Sequence, residues 1–202
     1  MWTHARRGVT LAPMKASEVK SFFEDVARSW DTMRLDYFDE RVIEQLAERT
    51  QLDGSQTVAD VGTGTGFVAA GLAGSAQRVV GIDNSPGMLA VARETLDRLG
   101  ITNVELAEAD IGRLPLDDNS VDAAVANMVL HHAEDPAAML AEMARVTRPG
   151  GWVAITDEVE HPYEWMRTEH ADVWLGFSEP QVEGFFGDAR LTQYGYAPLG
   201  MQ

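Results

Sequence analysis

A chain of 202 residues, 45% of them hydrophobic, can bury one full core, and one domain is the natural count. It has no cysteine, which removes disulfides, thiolate metal sites and cysteine nucleophiles, and no apolar run approaches the roughly 20 residues of a membrane span. A net charge of −16 repels phosphate backbones, whose binding depends on Lys and Arg displacing counterions, so nucleic acid is disfavoured and the charge reads as solubility.

Met1 to Pro13 has arginines at 6 and 7 but no apolar segment behind them, so it does not read as a secretory signal. Met14 is a candidate start, which would leave the first residues a leader, and a cytoplasmic location is the default expectation. An amphipathic helix is predicted over 17–30, with Val19, Phe22, Phe23, Val26 and Trp30 on one face, and a second near 37–49 carries Val42, Ile43 and Leu46. Strand 57–61, helix 66–74, strand 78–82 and helix 86–99 follow, the last opening with Ser85 as N-cap and Pro86 in its first turn. Strands 103–107 and 121–126 flank a short connection. Helix 136–148 starts at Asp135-Pro136 by the same device, and Pro149-Gly150-Gly151 ends it before strand 152–156. Strands alternating with helices of this length predict an α/β, Rossmann-like, doubly wound and mostly parallel sheet with helices on both faces.

The densest signal is Val58-Ala59-Asp60-Val61-Gly62-Thr63-Gly64-Thr65-Gly66, an apolar strand with one carboxylate running into three alternate glycines. Glycines let the backbone turn sharply and approach a ligand, and the next helix points unpaired N–H groups at it. A dinucleotide fingerprint is G-x-G-x-x-G and holds a pyrophosphate. Here the order is Asp-x-Gly-x-Gly-x-Gly, Phe67 stands where the third glycine of that fingerprint would fall, and Asp60 precedes the loop. A carboxylate at that place suits a ligand carrying a cation. S-adenosylmethionine has an ammonium and a sulfonium but no phosphate, and Asp83, ending the next strand, can accept both ribose hydroxyls. Ligands of such sheets bind beyond the carboxyl ends of the strands, where Asp60, Asp83, Asp110 and Asn127 all fall.

These residues resemble the class I S-adenosylmethionine-dependent methyltransferases, in the branch that includes the ubiquinone/menaquinone-biosynthesis C-methyltransferases. The likeness continues through Gly81-Ile82-Asp83-Asn84-Ser85-Pro86-Gly87-Met88-Leu89, Ala109-Asp110-Ile111, Leu114-Pro115-Leu116 and Ser120-Val121-Asp122. It then takes in Asn127-Met128-Val129-Leu130-His131-His132, Asp135-Pro136 and Arg145-Val146-Thr147-Arg148-Pro149-Gly150-Gly151, spanning residues 20–157 in the family's order. The resemblance implies that Asp60 and the Gly62, Thr63, Gly64 and Gly66 backbone hold the methionine portion. It gives the ribose to Asp83 with Asn84 beside it, one adenine face to Met88, and the adenine edge to Asp110 and the N–H of Ile111. Core packing is the competing role for Met88, and loop capping for Asp110.

Residues 127–132 stand where the acceptor should enter. Amino-group methylases carry an Asn/Asp-Pro-Pro-aromatic motif here; this chain has Asn127-Met128-Val129-Leu130, which disfavours such substrates. His131 and His132 are the candidate catalytic residues, since a neutral imidazole can take a proton from a hydroxyl or an activated carbon. Packing or backbone capping is the plainer role for one of two adjacent histidines. By resemblance the N-terminal segment with Phe23, Trp30, Tyr37 and Phe38 forms a lid, and Trp30 can reach the cofactor.

Beyond Asp157 a helix is predicted from His161 to about Trp174, then another after Pro180, with Trp165, Trp174 and Phe177 covering the acceptor pocket. The tail weakly resembles methyltransferase domains fused to ArsR-type repressors. His161, Glu164, His170 and Asp172 lack the spacing of a ligand set, so no metal is expected. Ala189 to Tyr196 can supply a sixth strand, but only Ala197 to Gln202 remain for the family's antiparallel seventh, leaving an incomplete sheet, an exposed edge or a homodimer. The division expected within the single domain 1–202 is a helical lid to residue 50, a cofactor core over 51–157, and acceptor-covering helices with the last strand over 158–202. The function expected is methyl transfer from S-adenosylmethionine to a small-molecule oxygen or carbon acceptor by in-line displacement. The alternatives are a cofactor-binding regulatory or partner protein without turnover and, third, a nicotinamide oxidoreductase. Arsenite chemistry is poorly supported because the thiols it uses are absent.

Overall fold

The computed structural model describes residues 14–199; residues 1–13, where the leader was expected, and residues 200–202 lie outside them. Five strands, β1 (Thr57–Val61), β2 (Arg78–Asp83), β3 (Val104–Glu108), β4 (Val121–Asn127) and β5 (Thr147–Thr156), form one sheet. Their order is β3-β2-β1-β4-β5 and every pairing is parallel. Among the described residues no helix is long and apolar enough to cross a membrane.

The period of two along each strand sorts the core into two layers. Val58, Val79, Ala123 and Val125 face one side and pack with Phe38, Val42, Leu46, Val68 and Leu72, supplied largely by α3 (Arg41–Arg49) and α4 (Phe67–Leu72). Ala59, Val61, Val80, Ile82, Ala124 and Ala126 face the other, against Met139, Leu140 and Met143 of α6 (Pro136–Val146) and Val182 of α8 (Glu179–Asp188). With both faces covered, β1 and β4 read as nearly continuous apolar runs. The register pairs Asp60 with Gly81 and Val61 with Ile82, so the two acidic strand ends lie side by side.

Both predicted N-caps form. Ser85 Oγ accepts from the Met88 N–H at 3.1 Å to start α5 (Pro86–Leu99), and Asp135 Oδ1 accepts from Ala138 N–H at 3.0 Å to start α6.

Four expectations are corrected. The first helix is two, α1 (Ala16–Val26) and α2 (Trp30–Met33), because the Ser29 hydroxyl donates to the Val26 carbonyl at 3.0 Å and draws that group out of the helical ladder. The helix expected from residue 37 starts at Arg41, after a 3-10 turn over Arg34–Asp36. Pro149-Gly150-Gly151 does not precede the last strand but sits inside it as a bulge: Val121 pairs with Thr147, and the ladder resumes at Ala123 with Trp152. The tail differs most. Of the helix expected over 161–174 only α7 (Met166–Glu169) forms, ended by the left-handed Ala171 at φ +64°, and the sixth strand is absent among the described residues. Arg190 and Gln193 both have φ of +59°, incompatible with an extended run through Ala189–Tyr196.

Candidate cofactor and acceptor site

Parallel strands bring the carboxyl ends of β1, β2 and β4 to one edge of the sheet. Gly62 and Gly64, just past β1, take φ of +71° and +54°. At Gly62 a Cβ would also collide with both Val129 methyl groups, whereas at Gly64 it would meet only the Trp30 indole nitrogen, 3.9 Å away. The N–H groups of Gly62 and Thr63 donate to the Ile82 carbonyl at 2.8 and 2.9 Å, lashing the loop to β2. Asp83 locks it further: Oδ2 accepts from Gly64 N–H at 2.8 Å and Oδ1 from Ser85 N–H at 2.9 Å. Each oxygen keeps further acceptor capacity. Burial pushes the Asp83 carboxyl above its ordinary range, these hydrogen bonds opposing. Asp60 is 1% exposed, and its Oδ2 accepts from Thr63 Oγ1 at 2.7 Å. Burial raises its pKa to about 7; the Thr63 hydrogen bond works against the shift and the Asp83 charge adds to it.

A cavity of about 280 Å³ opens over this loop. The N-terminal helices roof it: the Glu24 carboxylate of α1 accepts from Ser85 Oγ at 3.0 Å and Gly87 N–H at 3.1 Å, and Asp31 of α2 accepts from Thr65 Oγ1 at 2.7 Å. Phe23, Trp30, Phe38 and Met139 give it apolar walls. Asp60, Asp83, Asp110, Glu134 and Asp135 are its charged lining, with no Lys or Arg among the described lining residues. Its field favours a ligand of net positive charge over a diphosphate.

The histidines stand at the other end. Met128, following β4, holds φ +55°, a conformation that costs a non-glycine residue and turns the chain into the 3-10 segment Leu130–His132. Asp157, just past β5, anchors that segment, accepting from Leu130 N–H at 2.8 Å and from His131 Nδ1 at 2.7 Å. Burial alone would lower the His131 pKa; the charge and hydrogen bond of Asp157, aided by Glu158 and Asp172, outweigh it and raise it to about 9. His132 is the opposite case. Its Nδ1 lies 3.1 Å from the Ala171 carbonyl, which can only accept, so Nδ1 carries the proton and the neutral ring keeps its lone pair on Nε2. Burial, then the neighbouring His131 charge, hold its pKa well below the ordinary value. His132 lines the main cavity and His131 does not; both line a second cavity of about 20 Å³ behind it.

Against known proteins, the family described as "Methyltransferase domain" matches residues 59–155. The demethylmenaquinone methyltransferase of Clavibacter sepedonicus is 31% identical over 171 residues, covering 83% of this chain and 69% of that protein. The chain belongs to the class I S-adenosylmethionine-dependent methyltransferases. The arsenite methyltransferase of Halobacterium salinarum is 39% identical over 108 residues, 52% of this chain and 28% of that one. This methyltransferase thus spans under a third of one relative and about two thirds of the other. Among solved structures, a SAM-dependent methyltransferase from Aquifex aeolicus superposes with a TM-score of 0.63 at 29% identity, covering 87% of this chain and 88% of that one.

S-adenosylmethionine is the cofactor of this family, and the cavity fits it: carboxylates suit an ammonium and a sulfonium, and the open face of Gly64 leaves room beside Asp83 for a ribose. Trp30, Asp60, Gly62, Thr63, Gly64, Asp83, Asn84, Met88, Asp110, Ile111 and Asn127 all line it. Gly66 does not; at φ +82° it starts α4, and a Cβ there would sit 3.1 Å from Ala92 Cβ, so it serves helix packing. Met88, 1% exposed, is wall and core at once. Asp110 caps its loop, Oδ1 accepting from Gly112 N–H at 2.7 Å, and has a second oxygen free of that bond. Asn127 Oδ1 accepts from Thr156 Oγ1 at 2.7 Å.

Trp165, Trp174 and Phe177 line neither cavity, contrary to expectation. Trp165 is 48% exposed, while Trp174 and Phe177 pack with Phe185, the Trp174 indole donating to the Ala133 carbonyl at 2.9 Å. The histidine end of the cavity is covered instead by Phe23, whose ring meets His132 edge-on with centroids 4.9 Å apart. Glu164 and His170 bond to Arg167 and Tyr37, whereas His161, bonded to Glu158, has a ring nitrogen within 4.8 Å of the Glu158 and Asp172 carboxylates. Asp157 and Glu24 escaped the sequence reading; a lone acid after a strand or within a helix has no local signature.

Proposed function

We propose that this chain transfers a methyl group to the oxygen or carbon of an uncharged small molecule held in the main cavity against His132. When bound, the sulfonium supplies an electrophilic methyl carbon and a good leaving group, so the protein's task is mainly alignment and exclusion of water. On this reading Asp60 and the Gly62–Gly64 backbone hold the amino-acid end, Asp83 the ribose, and Asp110 with the Ile111 N–H the adenine. His132 accepts the acceptor's proton at Nε2 as the new bond forms. His131, bonded to Asp157, orients the segment and does not touch the acceptor. Residues up to 50 act as lid and 51–157 as cofactor core, within one domain.

The observation carrying this is the cavity's charge: a space lined by five carboxylates with no Lys or Arg repels an anionic acceptor as it does a diphosphate. By its name, one relative acts on a demethylmenaquinone, an apolar and uncharged ring system, which agrees with the apolar walls here. Arsenite, named in the other, fits poorly in a chain without cysteine.

Incubation with methyl-labelled S-adenosylmethionine and a panel of phenols, quinols and anionic acids tests the proposal. Label should enter uncharged acceptors, and His132→Ala should lower kcat by about 10²–10⁴-fold while leaving cofactor binding intact. Cofactor binding with no acceptor labelled would favour a partner protein without turnover.

A further inference from the structure

Behind the main cavity, buried His131 and Asp172 and half-buried His132 line a space of about 20 Å³, room for one water or one ion. His131, His132 and Asp172 each present a ligand atom there, all within 4.8 Å of one another. Asp172 is 0% exposed and neither of its oxygens has a hydrogen-bond partner. A buried carboxylate left bare costs far more than one that is paired, so the orphaned oxygens point to a missing partner. His131 Nε2 lies 3.8 Å from Asp172 Oδ1, too far for a hydrogen bond.

The second shell is the stronger observation. An imidazole that binds a metal through one nitrogen characteristically donates its other N–H to a carboxylate or a backbone carbonyl. Both rings do so: His131 Nδ1 lies 2.7 Å from Asp157 Oδ1, and His132 Nδ1 lies 3.1 Å from the Ala171 oxygen. This turns His131 Nε2 toward Asp172 and leaves His132 Nε2 as that ring's free nitrogen, the two rings 3.9 Å apart between centroids. The 3.8 Å from His131 Nε2 to Asp172 is a separation that two ligands about 2.1 Å from one ion can span.

We infer that His131, His132 and Asp172 form a binding site for one divalent transition ion. Two imidazoles and one carboxylate select zinc or its first-row neighbours over magnesium and calcium, which prefer oxygen donors. Three protein ligands leave at least one position open. The inference goes beyond methyl transfer but shares His132 with it: an ion there would occupy the Nε2 lone pair that accepts the acceptor's proton in the metal-free chain, so the two roles of that ring alternate.

The test is calorimetric titration of the chelator-stripped full chain with Zn²⁺, with Mg²⁺ as comparison, followed by X-ray absorption at the zinc edge. One Zn²⁺ per chain, displaced by no excess of Mg²⁺ and with a first shell of two nitrogens from imidazole plus oxygen, is expected. Asp172→Asn should weaken Zn²⁺ binding about 100-fold or more, beyond the 10–100-fold typical of outer-shell losses. Should that variant fail to fold, His132→Gln serves in its place, and the wild-type absorption spectrum decides alone. Absence of Zn²⁺ binding, an all-oxygen first shell, or equal affinity in wild type and folded variant would overturn the inference. Those last two results would mean an adventitious ion on the acidic surface only, and none of the three bears on cofactor binding.

Discussion

Asp60 is a carboxylate whose buried place favours the neutral form, with a pKa of about 7 in the ligand-free chain. An ammonium beside it reverses that preference, because only the ionised form attracts a cation. Affinity for S-adenosylmethionine should therefore rise between pH 6 and pH 8, with a proton released on binding. Calorimetry in buffers of different ionisation enthalpy will detect the proton, and Asp60→Asn should abolish its release. The sign for stability is opposite: unfolded Asp60 titrates near 4, so between about pH 4 and 7 the folded chain binds the extra proton, and this contribution fades as pH rises. Asp60, Asp83 and the glycines were legible because a strand end followed by alternate glycines leaves few other uses for an acid. The contrast between His131 and His132 was not. Adjacent in sequence, they separate only through Asp157 and Ala171, which lie 26 and 39 residues further on.

At the scale of elements, the site depends on a loop that fits between β2 and the segment after β4. Gly62 is the tightest point, needing both a positive φ and the space under Val129. Gly62→Ala should destabilise the chain by about 2–4 kcal/mol, combining left-handed strain with overpacking. For a chain of this size that is a fall in Tm on the order of 5–15 °C in thermal unfolding. Gly54→Ala is the control: φ is +93° but nothing lies within 4 Å, so only about 1–2 kcal/mol is expected. Equal losses would show that the Val129 contact is immaterial. Strands and N-caps were readable because apolar runs and the Ser85-Pro86 and Asp135-Pro136 pairs act locally. The tail was not: Ala171, Arg190 and Gln193 take left-handed conformations with no glycine to announce them, and these cut the expected helix and strand.

Over the whole molecule, the parallel order β3-β2-β1-β4-β5 gathers carboxylates from separate strand ends into one cavity, and the N-terminal helices close it through Glu24 and Asp31. The alternation of strands and helices foretold the sheet, and the acidic strand ends foretold where the cavity opens. The roof was less legible, since which helix face covers the cavity depends on long-range contacts such as Phe23 on His132. The account rests on a cavity whose charge suits a cationic nucleoside held through Asp83. Calorimetric titration of wild type and Asp83→Ala with S-adenosylmethionine, with NADH as comparison, tests it most directly. One S-adenosylmethionine per chain, no NADH, and a loss of about 1–3 kcal/mol in the variant are predicted. Binding of NADH, or an affinity for S-adenosylmethionine untouched by the loss of Asp83, would contradict it.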